Sequence, residues 1–194
     1  MPSADCETVL LFGLTESRCA REYGVETGPV ITMDSNVERR LAELGIALPR
    51  PPRAIGNFAY GVEHQGMLYL SGTYGTAVNA EDEDFLPFAG KLGAELAIED
   101  GYRSARLMAI NHLAMAKAVL GDLDRVVRVI RLLGFVNAAP GFRDAPKVLN
   151  GASDLLVEVF GPERGRHARS ALYQHELARN APVAGELTLA VRAA

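Results

Sequence analysis

Between Ile98 and Leu120 apolar side chains return every three or four residues, so that Tyr102, Ala105, Met108, Ala109, Leu113, Ala116 and Leu120 share one face of a helix. Glu99 and Asp100 fall in its first turn, where carboxylates oppose the positive end of the helix dipole, and Gly121 supplies a stop. Directly after it, Val126 to Val136 is rich in Val, Ile and Leu with Arg128 and Arg131 interposed, which predicts a long strand. A long amphipathic helix followed by a strand of this kind needs a sheet to dock on, and the rest of the chain has to provide it.

The flanking segments do so. From Asn57, two short apolar runs, Phe58 to Val62 and Met67 to Leu70, are separated by a polar stretch ending in Gly66, a hairpin signal. Residues 73 to 96 contain Gly75, Gly90, Gly93 and the acidic run Glu81 to Asp84, without a clear period, and read as a long loop with room for one short strand. A second helix is expected over Ala145 to Phe160, with Val148, Leu155, Leu156 and Val159 inward and Gly161-Pro162 as its stop. Two strands, near Ala168 to Leu177 and Val183 to Val191, end the domain. The order strand, strand, helix, strand, helix, strand, strand predicts an α+β fold, a mixed sheet with two helices packed on one face.

The segment before the hairpin is less regular. Residues 1–32 show no sustained period and read as a loosely ordered extension, leaving 33–194 as a single domain. Ser35 and Glu38 stand at capping-box spacing before Val37, Leu41 and Leu44, which predicts a short helix, and LPRPPRA at 48–54 must be extended.

Composition excludes several classes of function. A formal net charge of -4 argues against a chain held mainly by phosphate contacts, which disfavours nucleic acid as a partner. Cys6 and Cys19 share no metal-ligand spacing, and His64, His112, His167 and His175 do not pair at the spacing of a zinc helix, so no metal site is expected. His112 is read as a satisfied polar residue at the edge of the core. Ser71 and Ser153 lie outside any nucleophile elbow, and the glycines form no phosphate loop, so no cofactor is expected. No stretch reaches the length of a membrane span and no basic segment precedes an apolar one at the N terminus, which makes the cytoplasm the expected location.

LYLSG (68–72), GKLGAEL (90–96), GFVNAAPGF (134–142), VLNGASDLLVEVFG (148–161) and GRHARSAL (165–172), in this order and spacing, together resemble the RidA (YjgF) superfamily. The likeness is greatest to its longer YjgF-like branch, known also as endoribonuclease L-PSP or translation inhibitor, and it extends over Val37 to Val191. It implies a chorismate-mutase-like fold assembled as a homotrimer, with clefts between neighbouring subunits, and hydrolysis of small imines or enamines, such as 2-imino acids, to a carbonyl compound and ammonia. Arg169 in HARSAL matches the arginine that grips the substrate carboxylate, a role suited to the planar donor fork of a guanidinium. Glu186 in VAGELTL matches the glutamate that assists water attack or proton transfer. Ser71 and Gly72 match a pair lining the cleft, and Asn150 an asparagine on the second helix.

Three departures bear on activity. Phe58 stands where many deaminases have tyrosine, Thr73 where glutamine follows the Ser-Gly pair, and His167 where proline precedes the arginine motif. Phe58 and Thr73 remain candidates for substrate contact, but they keep open a second function, a non-catalytic trimer that binds small carboxylates. A third, RNA cleavage, draws on the basic cluster Arg164, Arg166, His167 and Arg169, and is opposed by net acidity and by the lack of an aromatic platform beside it.

Overall fold

A computed structural model describes residues 35–193; the expected boundary at residues 32 and 33, and both cysteines, lie outside them. The order is α1 (Asn36–Glu43), β1 (Gly61–His64), β2 (Met67–Tyr74), β3 (Ala77–Val78), β4 (Asp84–Phe85), α2 (Ile98–Leu120), β5 (Val126–Asn137), α3 (Ala145–Gly165), β6 (Ala168–Gln174) and β7 (Val183–Val191). The main sheet runs β1-β2-β7-β5-β6, with β5 and β6 parallel and the other neighbours antiparallel. This is the expected α+β arrangement, a mixed sheet under the long helices.

The core lies between that sheet and the pair α2 and α3. Leu187 and Leu189 of β7, Leu132 and Val136 of β5, and Leu68 and Leu70 of β2 meet Met108 and Leu113 of α2 and Leu149 and Leu156 of α3, all of them buried. Two glycines set how closely these layers approach. A Cβ on Gly151 would lie 2.0 Å from the carbonyl oxygen of Tyr102, so the two long helices cross there backbone to backbone. A Cβ on Gly134 would lie 2.3 Å from Leu149 Cδ1, so β5 leaves the space that this leucine fills.

Alternation along the strands sends a second set of side chains to the opposite face. Val62, Tyr69 and Leu172 there are 59%, 52% and 43% exposed, and Leu133 and Phe135 are half-buried. No element of the described residues covers them.

Several expectations need adjustment. The first strand starts at Gly61, so Phe58 precedes it. The loop over 73–96 contains the small β3-β4 hairpin. Helix α3 is interrupted where expected, at Gly161 with φ 78°, but Pro162 then opens one more turn that runs to Gly165. Ser35 makes no side-chain cap on α1. Asp124, 88 positions away, does so instead, accepting from the backbone N–H of Asn36 at 2.7 Å and of Val37 at 3.0 Å. A carboxylate takes two N–H donors at once, which a hydroxyl does less well, and tertiary structure thus overrides the local capping pattern.

His112 is also corrected. It lies at the centre of the fold, fully buried, rather than at its edge. Among the described residues neither ring nitrogen has a hydrogen-bond partner of normal geometry, although backbone groups of Gly185 and Ser71 are close enough to favour its proton. Burial outweighs them and lowers its pKa to about 4.

Candidate functional site

Arg169 is the second residue of β6, an edge strand that among the described residues pairs only with β5. Its register partner is buried Leu132, so the side chain points toward the helix layer. There Nη1 donates to Asn150 Oδ1 at 3.0 Å and to Ser153 Oγ at 2.9 Å, while Nη2 makes a longer bond, 3.3 Å, to the carbonyl of Pro146. Asn150 and Ser153 are one turn apart on α3, which brings both to the same guanidinium. Among the described residues Nε has no partner, and the guanidinium is half-exposed. With Nη1 occupied, the Nε and Nη2 edge is the one left to receive a carboxylate bidentately.

His167 lies two residues before it. Its Nδ1 is 2.6 Å from the carbonyl of Gly165 and its Nε2 is 3.1 Å from Ser153 Oγ. A carbonyl only accepts, so Nδ1 carries the proton and Nε2 accepts from the Ser153 hydroxyl. Burial pushes the His167 pKa below the usual value, the Gly165 backbone opposes this, and the Arg169 charge lowers it further. The sequence marks Ser153 only as lying outside a nucleophile elbow and His167 only as a departure and a basic neighbour of Arg169, because their pairing depends on α3 meeting the start of β6 and has no spacing signature.

The other expected residues gather elsewhere. Glu186 is in register with Leu133, the neighbour of Leu132, and is exposed on the face away from the helices. Gly72 lies beside it: a Cβ there would be 3.9 Å from Glu186 Cγ. The β2-β7 register slips between Leu70 and Thr73, a bulge that presents Ser71 and Gly72 at the sheet surface. Ser71 is held by the segment before β1, donating through Oγ to the Ala59 carbonyl at 2.6 Å. Phe58, Gly72 and Thr73 line a cavity of about 330 Å³ with Ile55, Tyr60 and Arg179. Arg179 has φ 62° and donates to the Asp84 carbonyl at 2.9 Å; nothing in the sequence marked it.

Two groups thus stand apart within one chain. Arg169 and Asn150 meet Ser153 and His167 on the helix side, while Glu186 and Gly72 share the open face near the cavity of Phe58 and Thr73. The basic cluster does not act as a unit either. Arg164 is engaged by the Val126 carbonyl and lies over the Phe160 ring at 5.6 Å, while His167 and Arg169 turn to α3. Among the described residues no three His, Cys, Asp or Glu side chains gather as a metal site, and no helix is long and apolar enough to cross a membrane.

A mixed sheet of this order, with its long helices on one side and an anchored arginine on its edge strand, defines a chorismate-mutase-like α+β protein. The chain belongs to the RidA/YjgF superfamily: residues 38–183 match the family described as "YjgF/chorismate mutase-like, putative endoribonuclease". It is similar to Protein TCP17 of Trypanosoma cruzi, 38% identical over 142 residues that make up 73% of this chain and 86% of that protein. Among solved structures it resembles Atu1372 of Agrobacterium tumefaciens, a protein of unknown function, with 35% identity, a TM-score of 0.72 and coverage of 81% and 93% of the two chains. It also resembles a protein described as a putative endoribonuclease from Shewanella oneidensis MR-1, with 32% identity, a TM-score of 0.73 and coverage of 80% and 99%.

Proposed function

We propose that this protein hydrolyses small imines or enamines, 2-imino acids above all, to the carbonyl compound and ammonia, in a cleft formed between subunits of a cytoplasmic homotrimer. The observation that carries this reading is the Arg169 guanidinium, fixed through Nη1 by Asn150 and Ser153 with its Nε and Nη2 edge left for a carboxylate. The reaction adds water to a C=N bond and expels ammonia, with no change in oxidation state, so acid-base groups and orientation suffice and no metal or organic cofactor is called for. Each contributes roughly a hundred-fold or more.

The intersubunit cleft is supported by two features. Arg169 and Glu186 face away from each other in one chain, and two chains are needed to put both beside one substrate. The sheet face bearing Val62, Tyr69 and Leu172 is apolar and exposed, as a face buried by symmetric neighbours would be. In that assembly Arg169 holds the carboxylate, Glu186 orients water, and Ser71, Gly72, Thr73 and Phe58 border the substrate.

A second reading is a trimer that binds small carboxylates without turning them over. It is favoured by Phe58, which brings an apolar ring to the cavity where a hydroxyl is common in the deaminases, and by Thr73, only 6% exposed. Ammonia release from freshly generated imino acids, with and without the protein, separates the two. Acceleration supports hydrolysis; binding of 2-oxo acids with no acceleration supports the second reading.

A further inference from the structure

We infer that the cavity beside Glu186 receives the substrate's side chain, and that the ligands of this protein are 2-imino acids carrying a large apolar side chain, of the size of a benzyl group. This rests on the carboxylate-binding cleft proposed above and names what its ligand carries.

The cavity adjoins Glu186 through Gly72, which lines the one and borders the other. Gly72 has no positive φ, and a Cβ there would meet, among the described residues, the Gly185 carbonyl oxygen at 3.8 Å and Glu186 Cγ at 3.9 Å, both ordinary contacts. The backbone therefore does not require glycine here; the missing side chain leaves a passage between Glu186 and the cavity. The carboxylate and the side chain are separate substituents of the trigonal imine carbon and point in different directions. With the carboxylate on Arg169 and that carbon beside Glu186, the space across Gly72 is open to the side chain.

Size and lining both favour a large apolar group. The cavity, about 330 Å³, has on the order of ten times the volume of one water molecule, so a methyl side chain would leave most of it to solvent. Phe58, Tyr60, Tyr74 and Met115 line it together with Ile55. Ile55 and Phe58 are 85% and 49% exposed, apolar surface left to water until an apolar group covers it. A benzyl-sized side chain reaches these walls and a methyl group does not.

The wall is held before any ligand arrives. Arg50 donates through Nε to Asp82 Oδ1 at 2.5 Å and through Nη1 to Asp84 Oδ1 at 2.9 Å, and Arg53 donates its backbone N–H to Asp84 Oδ2 at 2.9 Å. These bonds fix the extended segment before Ile55 against the β3-β4 hairpin, which lowers the cost of ordering it on binding. They also engage the charged groups of the lining: Asp84 takes Arg50, and Arg53 Nη2 donates to Asp82 Oδ2 at 2.6 Å. Arg179 donates to a carbonyl, that of Asp84, and so makes a second carboxylate on the ligand the rival occupant.

Isothermal titration of the full chain with pyruvate, phenylpyruvate and 2-oxoglutarate, the oxo counterparts of three imino acids, reads the pocket without turnover. Phenylpyruvate is expected to bind roughly ten- to a hundred-fold more tightly than pyruvate, and Phe58→Ala to narrow that ratio by roughly five-fold or more. Equal affinities, tighter binding of pyruvate, or a ratio unchanged in Phe58→Ala overturn the pocket. Tighter binding of 2-oxoglutarate than of phenylpyruvate overturns the apolar class. If Phe58→Ala does not fold, Gly72→Ala decides, since its methyl group fits the backbone and narrows the passage: an unchanged ratio there overturns the pocket. Binding of none of the three overturns the carboxylate cleft, and the pocket with it. Selective binding of phenylpyruvate with no ammonia release from its imino acid removes the hydrolysis reading alone and leaves the pocket standing.

Discussion

Arg169 and Glu186 face opposite sides of one sheet, because their register partners on β5, Leu132 and Leu133, are consecutive residues. A single chain therefore presents one group to the helix layer and the other to the open face.

If two subunits complete each site, variants of the two residues complement each other. Arg169→Ala and Glu186→Gln trimers should each be impaired, and mixed trimers reassembled from equal amounts should regain activity. With random assembly, roughly a quarter of clefts receive both intact groups from neighbouring subunits. Ammonia release before and after mixing reads this directly; no gain on mixing, with exchange of subunits demonstrated by mass, contradicts a shared site.

The Asp124 cap makes a thermodynamic prediction. Burial would raise the pKa of this carboxyl, but the N–H groups of Asn36 and Val37 outweigh it and hold the pKa below the usual range. Asp124→Ala should cost about 1–2 kcal/mol, several degrees in thermal midpoint, whereas Ser35→Ala should change little. Equal losses in the two variants would restore the local capping box.

These contacts show where the sequence was legible. Helix α2, strand β5 and the stop at Gly161 follow from local periodicity and local turn chemistry, and they appear with nearly the expected bounds. Asp124 capping a helix 88 positions earlier, His167 reaching Ser153, and Arg179 lining a cavity with Phe58 depend on which elements meet, and no short window contains them. The burial of His112 is illegible for a related reason: a lone histidine on a helix gives no sign of whether a strand covers it, and β2 and β7 do.

His112 predicts a pH dependence. Its folded-state pKa, about 4, lies below the ordinary 6.5, so between these values the unfolded chain binds a proton that the folded one refuses. Stability should therefore fall as pH drops from about 6.5 to about 4, by roughly 3 kcal/mol at most from this group, and level off below. Urea unfolding of wild type and His112→Leu across that range should show a shallower loss in the variant; parallel curves would remove His112 as the cause.

The helix crossing gives a steric test. Gly151→Ala places a methyl group 2.0 Å from the Tyr102 carbonyl, and backbone rather than a flexible side chain has to yield. Destabilisation of roughly 1–3 kcal/mol is expected, despite the better helix propensity of alanine. A more stable variant would mean that α2 and α3 are not pressed together there.

Whether Arg169 holds a substrate carboxylate is read in the rate of ammonia release from a 2-imino acid by wild type, Arg169→Ala and Arg169→Lys. A loss of roughly a hundred-fold or more in kcat/KM is expected for alanine, with little rescue by lysine, which keeps the charge without the fork. The thermal midpoint should move much less than activity, since a half-exposed guanidinium contributes little to folding. Wild-type turnover by a folded Arg169→Ala protein would mean that Arg169 does not hold the substrate.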